Sequence, residues 1–185
     1  MSLWGNDIKP RNLTDAEKKE VFANTKGWVR EAGSILSGNG NTSADPEVLV
    51  AIGGLSANMG SANITELEFI TTAFDKSDGG TLQVRARFNE PVTVTGTPQL
   101  TVVNDNRANH TLSYASGSTT NELVFSLTIG AANSATNAGD ELSLGANAMS
   151  LNGGTIKDTG QSGTNATITN AASIGTAAGT ITVTA

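Results

Sequence analysis

The sequence contains no cysteine. That excludes disulfides, thiolate metal sites and cysteine nucleophiles together. It holds a single histidine, His110. A serine triad would need that residue with Ser113, Ser116 or Asp105, but no nucleophile elbow or oxyanion turn surrounds it. A zinc site would have to be completed by carboxylates, which is unusual. His110 follows a polar turn and reads as an ordinary surface or turn histidine. Aromatic residues make up only 4% of the chain, so few are to spare for stacking on sugars. No apolar run approaches the roughly 20 residues of a spanning helix. The opening stretch MSLWGNDIKPRNLTD lacks the apolar core of a signal peptide. The expectation is a chain that neither enters a membrane nor is exported by the ordinary route. The net charge is -6, and no basic face marks a nucleic-acid binder.

What is present falls into two grammars. In the first sixty residues, LTDAEKKEVFAN predicts a short helix near residues 14–23. Thr14 caps it and Glu17 completes a capping box. So short a helix needs a surface to pack on. The basic residues Lys9, Arg11, Lys18, Lys19, Lys26 and Arg30 cluster here, interleaved with Asp15, Glu17 and Glu20. Such mixed signs read as a solvated face. SGNGNTSADP is a loop, and EVLVAIGGL is an apolar run whose periodicity does not separate a strand from a buried helical turn. A strand added to a neighbour's sheet is one reading of it. Apolar residues are few and loops long, which predicts an extended arm that is disordered on its own.

From Ile64 onward the period is two. Leu82, Val84, Ala86 and Phe88 point inward; Gln83, Arg85 and Arg87 point outward. Leu100 and Val102, Leu112 and Tyr114, and Leu123, Phe125, Leu127 and Ile129 repeat the pattern. Weaker strands follow at ELSLG, AMSLN, TIKD, ATITN and TITVTA. Turn signals such as DGG, TGTP and SGSTTN separate them, which predicts a sandwich of two antiparallel sheets. No internal repeat occurs at a fixed period.

Chemistry is sparse. Paired carboxylates would be needed across a glycosidase cleft, but Glu66 and Glu68 share the outer face of one strand and should be solvated. Asp140 and Glu141 are neighbours and point to opposite faces. DKSDGG departs from a calcium loop in phase, with Ala86 at the twelfth position where a glutamate is required. It reads as an Asx turn. Loop carboxylates Asp75, Asp78, Asp140 and Asp158 are the remaining candidates for a structural calcium ion. The expectation is no catalytic residue, no metal and no cofactor.

VRARFNEPVTVTGTPQLTV, LSYASGSTTNELVFSLTI, GDELSL and MSLNGGTIKDTG occur in this order. Together they resemble the bacterial immunoglobulin-like domains of the SwmB-like kind, which occur in tandem in large surface proteins and adhesins. The resemblance spans about residues 64–168 and implies an immunoglobulin-like β-sandwich acting as a spacer or adhesive module. A tandem adhesin would carry several copies, and this chain has one. MSLWGN, KPRNLTDAEKKEVFANTKGWV and EVLVAIGGLS resemble the N-terminal part of structural proteins of tailed phages, especially cyanophage-like myoviruses. The chain departs from those in lacking a basic, glycine-rich stretch before EVLVA.

The combined expectation is an all-β protein: an immunoglobulin-like antiparallel sandwich over residues 63–185, preceded by an extended N-terminal arm over residues 1–62. The resemblances imply a non-enzymatic virion structural protein, a capsid decoration protein assembled in the host cytoplasm. Its arm would meet the major capsid protein, other virion proteins or neighbouring copies in a lattice, with no nucleic acid or membrane involved. The arm residues expected at that contact are Trp4, Phe22, Trp28, Val48, Leu49, Val50 and Ile52, since large amphipathic aromatics dominate interface energetics; for Trp4 and Trp28 the other reading is that they fold back onto the main domain. The alternative is an adhesive or carbohydrate-binding module on a tail fibre or cell surface, meeting host glycans through the polar loops VNDNRANH and ANSATNAGD.

Overall fold

The structure, a computed structural model, describes Pro10 and residues 12–34, 40–161 and 163–185. It is mostly β. In chain order the elements are α1 (Asp15–Lys19), β1 (Val21–Asn24), β2 (Gly27–Arg30), β3 (Glu47–Ala51), α2 (Leu55–Asn58), β4 (Ile64–Phe69), β5 (Phe74–Asp75) and β6 (Gly80–Thr95). They continue as β7 (Gln99–Asn104), β8 (His110–Ser116), β9 (Thr120–Ile129), β10 (Glu141–Ser143), β11 (Met149–Ser150), β12 (Thr155–Asp158), α3 (Ala172–Ala177) and β13 (Thr180–Thr184).

The capping box forms as the sequence predicts: the Thr14 hydroxyl accepts from the Glu17 amide, and the Glu17 carboxylate accepts from the Thr14 amide. The helix then stops at Lys19, and Val21 and Phe22 belong to β1 instead. The reason is cross-strand burial. Two turn residues, Thr25 and Lys26, fold the chain back so that Val21–Asn24 pairs antiparallel with Gly27–Arg30. Strand β3 adds to β2, giving a three-stranded sheet in the order β1-β2-β3. The expected extended arm is therefore replaced, among the described residues, by a small folded sheet.

One face of this hairpin carries Val21, Ala23 and Trp28, which join Leu55 and Met59 in a separate apolar cluster. Phe22 and Val29 stand opposite each other across the pair and are also buried. Strand β1 lies against β6, so the hairpin is covered on both sides. Gly27 makes the turn possible. Its φ is +134°, and a Cβ there would lie 2.0 Å from the Val50 carbonyl oxygen.

The larger sheet has ten strands, with the path β12-β6-β9-β8-β7-β10-β13-β5, β4 paired to β6 and β11 to β7. Its pairings are antiparallel except for β13 with β5, which is parallel. The sequence predicts two stacked sheets, whereas the pairing runs as one continuous, curled path. The bend in β6 explains this. Its first half pairs with β4 and β9, then the register breaks between Arg87 and Val92, and Val92–Thr95 pairs with β12. The break contains Asn89, Glu90 and Pro91. Proline has no N–H to give to a ladder, and Asn89 turns aside to accept from the Asn63 amide at 2.7 Å.

Strands from distant parts of this path enclose one core. Ile156 of β12, Phe74 of β5, Val183 of β13 and Leu67 of β4 belong to the same buried cluster. The alternating residues Leu82, Val84, Ala86, Phe88, Leu100, Val102, Leu112, Leu123 and Phe125 lie inside it, as their period predicts. Tyr114 and Leu127 are only partly buried at its margin. ATITN makes one isolated bridge, Thr167 with Asn63, instead of a strand.

Candidate functional site

The outer face of β4, β6 and β9 carries charges in register. Glu66 pairs with Arg87, Glu68 with Arg85, Arg85 with Val124, and Arg87 with Glu122. On an open sheet these side chains would be solvated, as the sequence suggests. Instead the N-terminal hairpin lies over them. The Arg87 side chain is 10% exposed and that of Glu66 is 11% exposed, which corrects the expectation for Glu66, whereas Glu68, 42% exposed, is solvated as expected.

Arg87 is the hub. Its Nη1 donates to Glu66 Oε2 at 2.7 Å and to Glu68 Oε2 at 3.2 Å. Its Nε donates to Glu122 Oε1 at 2.5 Å, and Glu31 Oε1 lies 3.8 Å from the same nitrogen. Burial works against the charge, but the hydrogen bonds from Glu66 and Glu122 outweigh it and hold the guanidinium firmly protonated. Arg85 reaches Glu122 at 3.3 Å and Glu68 at 3.9 Å. Lys19, at the end of α1, reaches Glu66 at 2.6 Å. Burial pushes the Glu66 carboxyl up, yet Lys19 and Arg87 together hold it below the usual carboxylate range.

Glu31 behaves differently. It follows β2 directly and brings a carboxyl from the small sheet to the large one. Asn121 Nδ2 donates to its Oε1 at 3.1 Å. Burial first, then the nearby charge of Glu122, push its carboxyl up to about 7, against the opposing pull of Asn121 and Arg87. Glu31 also lines a cleft of about 250 Å³ between the two sheets, with Phe22, Pro46, Pro91, Thr120 and Asn121. A second cleft, about 390 Å³, lies between α1, β4 and α3 and is lined by Lys18, Lys19, Thr65, Glu66, Ile174 and Ala177.

The expected arm residues separate into three environments. Trp28 is fully buried, and Leu49, Val50 and Ile52 pack half-buried against its cluster. Phe22 is buried at the junction with the large sheet. Val48 alone among them is exposed, at 43%. Trp4 lies outside the described residues. The Trp28 indole N–H has no hydrogen-bond partner among the described residues. Thus Trp28 and Phe22 fold back on their own chain, and the surface they leave is the edge of β3.

The loop carboxylates serve their own backbones. Asp75 Oδ1 accepts from the Ser77 and Asp78 amides at 2.7 and 3.3 Å, the Asx turn read from the sequence. Asp140 is buried. It accepts from Asn104 Nδ2 and the Asn137 amide. Asp158 accepts from the Ala62 and Gln161 amides. Asp78 is exposed. No group of three histidines, cysteines or carboxylates positioned to hold a metal occurs among the described residues. His110 opens β8 as expected but is buried, 4% exposed, not on the surface. Burial lowers its basicity, with Asp140 opposing, so the imidazole is disposed to remain neutral.

Sequence reasoning missed Glu31, Arg87 and Glu122 as a set. Two arginines and two glutamates on facing strands were the visible signal, but nothing in a period of two announces a second layer above them.

The chain matches no protein family, no curated protein and no solved structure. No helix among the described residues is long and apolar enough to cross a membrane.

Proposed function

We propose that the chain is a non-enzymatic virion protein of a tailed phage: a capsid decoration protein whose N-terminal unit attaches to the head and displays an immunoglobulin-like domain. The observation that carries this is the edge of the small sheet. Strand β3 is outermost in the order β1-β2-β3, and Val48 on it is one of two large apolar side chains exposed among the described residues. An exposed strand edge with an apolar side chain suits addition of a partner's strand. The register shift opposite Trp28 and Val29 interrupts regular pairing there, which restricts the edge to a short partner strand. Copies repeated over a lattice would make such small contacts sufficient through avidity.

The motifs behind the immunoglobulin-like reading serve corners of the fold, which supports that reading. In YASGS, the Tyr114 hydroxyl accepts from the Ser118 amide at 2.8 Å, and the Ser118 hydroxyl accepts from the Val94 amide at 3.0 Å. Tyr114 also meets Phe125 edge-on, with ring centres 6.1 Å apart. In LNGGTIKD, the Asn152 side chain donates to the Thr97 carbonyl of the GTP corner at 3.1 Å. Strands β6 to β9 lie in the spatial order β6-β9-β8-β7, a Greek-key arrangement of the kind found in most sandwiches.

The test is co-sedimentation with purified phage shells. The full chain should pellet with them, and Val48→Asp should lower bound protein about tenfold, the ~1.4 kcal/mol effect of burying a charge at one site in each contact. Its melting temperature should be unchanged, since the side chain is exposed. A full chain that ignores the shells overturns head attachment. Equal binding by the variant overturns the role of β3.

A further inference from the structure

Among the described residues, the charges at the junction do not balance. Lys19, Arg85 and Arg87 form one connected network with Glu31, Glu66, Glu68 and Glu122: three cations against four carboxylates. The described neighbours add no relief. Arg30, on β2, is engaged by Glu17 of α1 at 3.3 Å and Glu47 of β3 at 3.7 Å. Glu20 lies beside β1, with its side chain on the Ser34 hydroxyl and its carbonyl accepting the Glu31 amide.

Within this network Glu31 and Glu122 stand apart from the rest. Both present an Oε1 to the same Arg87 Nε, Glu122 at 2.5 Å and Glu31 at 3.8 Å, and that nitrogen has a single proton to give. They come from different layers, Glu31 from the end of β2 and Glu122 from β9. Glu122 takes that proton, so a charged Glu31 would face a second carboxylate with no cation of its own, and a part-buried carboxyl so placed favours its neutral form. Glu31 lines the edge of an open cleft, so water can reach its carboxyl.

We propose that a proton on Glu31 latches the N-terminal sheet onto the large sheet, so that the two dock more tightly in mild acid than in mild alkali. The undocked state exposes Glu31 to water, where its carboxyl ionises in the ordinary range. The docked state binds the extra proton. Docking is therefore fully favoured below the ordinary carboxylate midpoint and weakens as pH rises through the docked midpoint of about 7. Above that value Glu31 is charged and meets Glu122 at one Arg87 Nε, with no further cation to balance it.

The experiment uses the full chain. The carboxyl carbon of Glu31 is followed by NMR from pH 4 to 9, and protection factors of the β1 and β2 amides are measured at pH 5.5 and 8.5. Glu31 should titrate near neutrality, and protection should fall by about tenfold or more over that interval, since each unit of linked titration is worth up to a factor of ten. Glu31→Gln, which keeps a donor and cannot ionise, should show equal protection at both values. A Glu31 midpoint in the ordinary carboxylate range would overturn the proposal. So would a wild type whose protection does not change, or a Gln variant that retains the full pH dependence. The titration of the wild type decides even if the variant folds poorly.

Discussion

At the scale of single residues, Arg87 has an unusual position for a side chain that a strand pattern aims at solvent. It is nearly buried, and its donors are divided among Glu66, Glu68 and Glu122, with Glu31 close by. Removing one partner from a buried ionic group leaves the others uncompensated, which typically costs about 3–5 kcal/mol. Arg87→Met should therefore lower unfolding free energy by about that amount in urea titration at pH 7. Acidifying the variant should restore part of the loss, because the stranded carboxylates then take up protons. A loss under about 1 kcal/mol would mean that the network behaves like an exposed surface pair. The pairing of Glu66 with Arg87 could be anticipated from the facing strands; its burial could not. Alternation tells which side of a sheet a residue occupies, and whether that side is wet depends on a layer contributed from sixty residues away.

At the scale of elements, the legible parts were those with length. The strand β6 extends for 16 residues, and its inward set Leu82, Val84, Ala86 and Phe88 was evident from period two alone. The N-terminal strands have four residues each, too few for a period to declare itself. Val21 and Phe22 adjoin a genuine capping box, so local signals favoured continuing the helix. Pairing with GWVR overrode them, since it buries Trp28 together with Val21 and Ala23. Helix α3 was missed because ASIGTA is built of small residues with no apolar stripe. The turn between β1 and β2 gives a sharp test at this scale. Gly27→Ala places a methyl against the Val50 carbonyl and demands a strained backbone, which costs about 1–3 kcal/mol. Amides of β2 and β3 should lose exchange protection while those of β7 and β8 keep theirs. Unchanged protection in β2 would show that the turn relaxes without cost.

At the scale of the whole molecule, the described N-terminal residues are a folded unit with its own cluster, pressed on the outer face of a curled sheet by β1 and by the Arg87 network. The expected arm is thus a platform, and it turns Trp28 and Phe22 inward while leaving β3 at the edge. The proposed attachment to a phage head gives that edge a purpose, and the proton latch gives the platform a condition under which it holds. The most direct measurement is immunogold labelling of purified particles from the source culture, with mass spectrometry for copy number. Dense label over heads, in fixed ratio to the shell protein, is the predicted result. Label confined to tails, or a chain absent from every particle, would contradict it.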